Sequence, residues 1–247
     1  MDIKTFTEKF FEKYGNRNEK PVLFFSPGRV NLIGEHTDYN GGFVFPCALN
    51  FGTYLAIRKT AGKTVKFSTL NFSDDDEVLL SDKLTKRGKK WSNYPLGVIN
   101  EFLKKKINVT GLEMLFFGDV PNSAGLSSSA SIEMVTATAL NDILKAGLKT
   151  MDLVLLSQKA ENEFVGMNCG IMDQFAVGFG KKDHAIFLNC DTLDYEHVPV
   201  NMGMSSLIIT NTNKRRGLTD SKYNERRAEC EKAVELLQPF RPIRNLS

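Results

Sequence analysis

Arg29, Glu35, His36 and Asp38 fall within ten residues of one another, bracketed by Gly28, Gly34, Gly41 and Gly42. A buried strand would not carry so many ionisable groups, because each one costs free energy unless it is paired. A disordered loop would not interleave them with Val30, Leu32 and Ile33. The combination describes a rigid turn that presents a cation and carboxylates to a polar ligand. Ionised carboxylates accept several hydrogen bonds at once, which suits a neutral polyol. A second isolated charge, Asp173, stands beside Ile171, Met172 and Phe175 in the run Asn168-Cys-Gly-Ile-Met-Asp-Gln-Phe. It needs a partner to stay ionised and oriented, and Arg29 is the obvious one. The third feature is the run from Gly118 to Ser131, Gly-Asp-Val-Pro-Asn-Ser-Ala-Gly-Leu-Ser-Ser-Ser-Ala-Ser. It follows an expected strand and opens a helix near Ser129, so small residues and unpaired N–H groups meet at a helix N-terminus, a natural cradle for phosphate. It is not a Walker loop, since Gly-x-x-x-x-Gly-Lys occurs nowhere. Without that lysine, phosphate charge must be offset by the helix terminus and a metal ion.

These segments, in this order, resemble the GHMP kinases. Pro27 to Leu49 is similar to the galactokinase signature of that family, and Pro121-x-x-x-Gly-Leu-Ser-Ser-Ser-Ala to its second motif. The resemblance implies that Ser123, Ala124, Gly125, Leu126, Ser127, Ser128 and Ser129 wrap the phosphates of ATP. It implies that Ser129 and Glu161 ligate Mg²⁺, a hydroxyl and a carboxylate suited to an octahedral site completed by phosphate oxygens and water. The segment Gly170-Ile-Met-Asp-Gln implies that Asp173 accepts the proton of an anomeric hydroxyl while Arg29 stabilises charge on the transferring phosphoryl group. Glu35, His36, Thr37, Asp38, Gly170, Asp173 and Tyr223 are implied sugar contacts. Tyr223 also reads as an aromatic residue packing from an amphipathic helix. Ser68 and Trp91 are carried as bordering the nucleotide, with core or surface positions as the alternative.

The elements that must position these groups are legible in outline. Phe6, Phe10, Phe11 and Tyr14 have helical spacing over Ile3 to Tyr14, with Gly15 as the stop. Strands are expected at Val22–Ser26, Phe43–Leu49, Tyr54–Arg58, Thr64–Ser68, Leu112–Phe117, Ala185–Asn189, Glu196–Val200 and Leu207–Asn211. Helices are expected at Asn93–Lys106, Ile132–Leu144, Met151–Val165 and Tyr223–Leu237. Asp74 to Asp76 reads as an acidic loop without the spaced ligands of a calcium site. Strands and helices mix without a strict βαβ rhythm, so the fold class is α+β, and the resemblance implies the GHMP kinase fold.

Composition sets the outer bounds. The chain has 247 residues, 42% hydrophobic and 25% charged, ordinary for a globular protein with a sizeable core. A net charge of +3 is too small to call for nucleic acid or a membrane as partner. Lysines 83–90 and 104–106 read as solvated surface. The N-terminus lacks the apolar run of a signal peptide, and four scattered cysteines with three histidines describe reduced thiols rather than a zinc site. The expectation is a cytoplasmic protein.

A family member continues into a second domain with a third glycine-rich motif, which does not occur after Leu218. The expected division is therefore an N-terminal domain over 1–200 and the beginning of a C-terminal domain over 201–247. The implied activity is transfer of the γ-phosphoryl group of ATP to the anomeric hydroxyl of galactose, by a protein monomeric at full length. The motifs define the chemistry more firmly than the sugar. A sibling sugar 1-kinase, for example on N-acetylgalactosamine, and a galactose- and ATP-binding regulator without turnover stay open.

Overall fold

Helix α1 (Ile3–Tyr14) begins where Asp2 accepts a hydrogen bond from the Thr5 backbone and ends at Gly15, whose φ of 78° few side chains adopt. The computed structural model describes residues 1–81, 83–121, 124–211 and 221–247. After α1 come β1 (Val22–Asn31), β2 (Phe43–Val44), β3 (Pro46–Thr60), β4 (Thr64–Thr69), β5 (Asp76–Leu79), α2 (Asn93–Lys104), β6 (Gly111–Gly118) and α3 (Ser128–Ile143). Then follow α4 (Thr150–Lys159), a π-helical segment (Ala160–Val165), α5 (Met172–Phe179), β7 (His184–Asn189), β8 (Tyr195–Pro199) and α6 (Ser221–Leu237). One sheet has the order β1-β3-β6-β4-β5 and the other β2-β7-β8. Only the β4–β6 pair is parallel among the described pairings. The mixed α+β class follows directly.

Alternation along the strands sorts side chains to two sides of the larger sheet. Ala56 and Leu115 meet Phe6 and Phe10 of α1. Leu55, Ile57, Met114 and Phe116 point the other way, into the main core with Leu96, Ile99 and Phe102 of α2, Met134 and Leu140 of α3 and Phe175 of α5. Arg58 and Glu113 add a buried ion pair on the α1 side, with Nη2 to Oε2 at 2.7 Å, and the same guanidinium donates to the carbonyls of Tyr14, Gly15 and Glu19.

Several expectations need correction. The strand expected over Val22–Ser26 runs on to Asn31 and so takes in Arg29, the first residue of the ionisable stretch. The two strands expected at Phe43–Leu49 and Tyr54–Arg58 are instead the short β2 and one continuous β3 of 15 residues. Gly52 does not break β3, because it sits opposite the register shift between Pro27 and Arg29. A Cβ there would lie 2.0 Å from the Ser26 carbonyl oxygen, so only glycine allows the close crossing. Asp76 is not in an acidic loop: it opens β5, is buried, and binds Ser92, Arg87 and Lys90. Lys90, one of the lysines expected to be simply solvated, is thereby tied to a buried carboxylate. The helix expected over Met151–Val165 turns π-helical at Ala160. Helix α5 had not been expected at all, since Met-Asp-Gln-Phe-Ala-Val-Gly-Phe is too short and too apolar to show a polar face. Leu207–Asn211 forms no strand, and Leu207, Ile208 and Ile209 are exposed. No described helix is long and apolar enough to cross a membrane.

Candidate active site

The bulge in β1 turns Arg29 toward the loop that precedes α3. Gly28 makes the approach possible, because a Cβ there would stand 2.9 Å from the Leu126 carbonyl oxygen, the acceptor of the Arg29 backbone N–H. From that position the guanidinium donates through Nε (2.9 Å) and Nη2 (2.7 Å) to one oxygen of Asp173, and through Nη1 to the Gly125 carbonyl at 2.7 Å. The other Asp173 oxygen accepts from the Ser127 hydroxyl at 2.5 Å. Asp173 sits in the first turn of α5, so β1, the loop and α5 are knotted at one carboxylate. The expected Arg29–Asp173 pair is formed, and it is charge-assisted and partly shielded from water.

The glycine- and serine-rich loop takes left-handed conformations at Gly125 (φ 70°) and Ser127 (φ 57°). Strain at a non-glycine residue is characteristic of sites that must hold a set geometry. Ser127 precedes the first turn of the 16-residue α3, whose N-terminal N–H groups open onto this loop. Ser131 anchors the helix by hydrogen-bonding the Ser26 carbonyl and Thr53. Ala124 bonds back to Pro121, Leu126 is buried, and Ser128 begins the helix as an exposed residue. Ser123, an expected phosphate contact, lies outside the described residues.

Behind the loop, Glu161 is 4% exposed and accepts hydrogen bonds from Ser129 and from Gln174 Nε2. Burial first, and then the Asp173 charge, pushes its carboxyl up to about 7. Its neighbour Glu133, fully buried, is raised well above the usual carboxylate range by the same desolvation and by Glu161. Two acidic groups that resist ionisation together describe a place where a cation would be stabilising. Among the described residues no group of three or more His, Cys, Asp or Glu could itself hold a metal ion. A Ser129–Glu161 donor pair completed by phosphate oxygens and water fits Mg²⁺ without such a cluster.

The ligand turn folds over the same carboxylate from the other side. Asp38 lies against Gly170, where a Cβ would be 2.0 Å from its Oδ2, and burial followed by the nearby Asp173 pushes its carboxyl up to about 6. Tyr223, from α6, hydrogen-bonds the Gly170 backbone and packs its ring 5.9 Å from His36 and 5.5 Å from Tyr39. Burial raises its hydroxyl pKa, and Asp38 adds to the shift. His36 adopts φ 61° and its Nδ1 is 2.5 Å from the Tyr39 hydroxyl. Glu35 is exposed and accepts from Asn31 at 2.8 Å. The Thr37 hydroxyl is committed to the Gly34 and Phe43 carbonyls, so it closes the turn.

Two expected nucleotide neighbours have partners within the protein. Ser68 is buried and bonded to the Tyr14 hydroxyl on the α1 side of the sheet. Trp91 donates to the Asp74 carbonyl and packs on Phe67, Phe72 and Phe116. Sequence reasoning missed Tyr39, Glu133, Gln174 and Arg227. Arg227 donates to the Asn168 and Cys169 carbonyls, so α6 is bound to the segment before Asp173. The signal for it was its spacing of four from Tyr223, which puts both on one helix face.

Residues 8–59 match the family description "galactokinase galactose-binding signature", and residues 93–181 match "GHMP kinases N terminal domain". A galactokinase of Fusobacterium nucleatum is 55% identical over 238 residues, 95% of this chain and 60% of that protein. One of Clostridium tetani is 51% identical over 247 residues, all of this chain and 62% of that protein. The chain therefore spans about 60% of the length of the curated relatives it matches. The crystal structure of Lactococcus lactis galactokinase complexed with galactose superposes with a TM-score of 0.91 at 43% identity, covering 99% of this chain and 64% of that one. A mevalonate kinase of Methanococcus jannaschii, at 19% identity and TM-score 0.64 over 74% of this chain and 57% of its own, shares the fold alone. The two matched segments, which carry the ligand turn, the phosphate loop and Asp173, are those of the GHMP kinases, and the relatives to which the chain is similar over almost its whole length are galactokinases.

Proposed function

We propose that the protein carrying this chain transfers the γ-phosphoryl group of ATP to the anomeric hydroxyl of galactose, giving galactose 1-phosphate and ADP. The observation that carries the reading is the single carboxylate of Asp173, held by Arg29 on one oxygen and Ser127 on the other. One face of this knot meets the loop at the N-terminus of α3, where phosphates are stabilised, and the other meets Asp38 and Tyr223. A hydroxyl accepted by Asp173 gives up its proton as its oxygen bonds to the γ-phosphorus and the bond to the β-phosphate oxygen breaks. If the transition state is loose, much of the contribution of Asp173 is to position the hydroxyl. Arg29 places a fixed positive charge beside the same point. Ser129 and Glu161 would hold Mg²⁺, which when bound offsets the charge of the β- and γ-phosphates.

Glu35, His36, Asp38, Gly170 and Tyr223 form the sugar side, and Ala124 to Ser129 the phosphate side. A boundary near residue 200 agrees with both sheets ending by Pro199. Residues 201–247 are then the start of a second domain, in a monomeric cytoplasmic enzyme. The test is galactose-dependent ADP release by the full-length protein over a panel of aldoses. Preference for galactose is expected. Equal rates on galactose and glucose would remove the sugar assignment and keep the kinase one, while ATP and galactose binding without turnover would establish the regulator.

A further inference from the structure

A line of buried polar side chains runs behind the phosphate site. Glu133 lies on α3, Glu161 in the π-helical segment and Gln174 in the first turn of α5, exposed by 0, 4 and 0%. Gln174 Nε2 donates to Glu161 Oε2 at 2.6 Å and to Glu133 Oε2 at 3.0 Å. A carboxamide nitrogen has two hydrogens, so both are in use, one on each carboxyl group. Gln174 Oε1 and Glu133 Oε1 have no hydrogen-bond partner among the described residues, so the amide is oriented from its nitrogen, by these two bonds and a long contact to Cys169 Sγ at 3.9 Å.

Gln174 follows Asp173 directly. Successive side chains on a helix diverge by about 100°, and the first turn of α5 sends Asp173 to Arg29 and Ser127 and Gln174 into the core. Glu161 Oε2 accepts from Gln174 and from Cys169 Sγ at 3.4 Å, which leaves Oε1 clear of both. We infer that Gln174 is a positioning residue for Glu161: its amide orients the carboxylate toward a divalent cation and ties that ligand to the turn bearing the proton acceptor. The inference rests on the reading of Glu161 as a Mg²⁺ ligand. Partners that orient a metal ligand without touching the metal typically contribute 10- to 100-fold in metal affinity. A role confined to joining α3, the π-helical segment and α5 would lower thermal stability and leave cation affinity intact.

The test uses Mn²⁺ as probe, with its binding to the full-length protein read by electron paramagnetic resonance in the presence of a non-hydrolysable ATP analogue. Gln174→Met, which keeps the side-chain volume and removes the amide, is expected to weaken Mn²⁺ binding about 10- to 100-fold and to leave galactose binding unchanged. Glu161→Ala should weaken Mn²⁺ binding as well, and adding Gln174→Met to it should weaken it no further. Should Gln174→Met not fold, Gln174→Asn withdraws the amide by one methylene and carries the same expectation. Unchanged Mn²⁺ affinity in the folded Gln174 variant, with Glu161→Ala weakened, overturns the inference alone. Unchanged affinity in Glu161→Ala overturns the metal reading and the inference with it.

Discussion

Asp173→Asn tests the site where its contacts are densest. One Asp173 oxygen receives Arg29 Nε at 2.9 Å and Nη2 at 2.7 Å, and the other receives Ser127 Oγ at 2.5 Å. A guanidinium can only donate, so the amide oxygen of the variant must face Arg29 and its NH₂ group must face Ser127. Ser127 can turn its hydroxyl to accept. A sugar hydroxyl arriving at the same edge cannot adapt so easily, because it now meets a donor where it needs an acceptor. Loss of a general base typically costs about 10²- to 10⁴-fold in rate, or about 3–5.5 kcal/mol of barrier. Removing the negative charge from the acceptor of these three bonds should also lower stability by about 1–2 kcal/mol. The assay is kcat for ADP release by the full-length protein at saturating galactose and MgATP, with galactose binding measured by calorimetry and unfolding by thermal melt. We expect kcat reduced about 100-fold or more, ATP binding retained and a modestly lower Tm. A folded variant within tenfold of wild-type kcat would refute the assignment of Asp173 as proton acceptor.

Asp38, pushed up to about 6 from 3.8 by burial and then by Asp173, should make the proposed galactose binding pH-dependent. Only its ionised form is a full acceptor for sugar hydroxyls, so affinity should fall as pH drops through 6, approaching tenfold per pH unit below it, and Asp38→Asn should flatten the profile. The same raised carboxyl holds a proton that the unfolded chain releases, so its contribution to stability is present below about pH 4 and lost as pH rises through 6. Gly170→Ala places a Cβ 2.0 Å from Asp38 Oδ2 and should weaken galactose binding in calorimetry while leaving ATP binding unchanged. Arg58→Met strands the buried Glu113 carboxylate with only Arg17 beside it, and should lower unfolding free energy by about 3–5 kcal/mol in denaturant titration. A loss under about 1 kcal/mol would show that the pair is compensated.

What the sequence determined by itself is local. The clustering of Arg29, Glu35, His36 and Asp38 among glycines, the helix-opening serines and the isolated Asp173 all declare themselves within about ten residues, because cost of charge burial, glycine freedom and helix capping act over that range. Helix α1 and strand β6 are legible for the same reason, through apolar periodicity with a glycine at the end. The tertiary structure decided everything that depends on a distant partner. Strand β1 runs on past Gly28 because β3 lies antiparallel beside it, with Arg29, Val30 and Asn31 opposite Ala48, Cys47 and Pro46. Leu207–Asn211, with its run of Leu207, Ile208 and Ile209, takes no strand conformation. Glu161 looks like an ordinary helix surface carboxylate in sequence, and its shifted titration, like that of Asp38, arises only when folding removes water and brings Asp173 close. Gln174 reads as a polar residue on a short apolar stretch. Its two acceptors lie 13 and 41 residues away, and only the packing of α5 against α3 and the π-helical segment brings both carboxyls within reach of one amide.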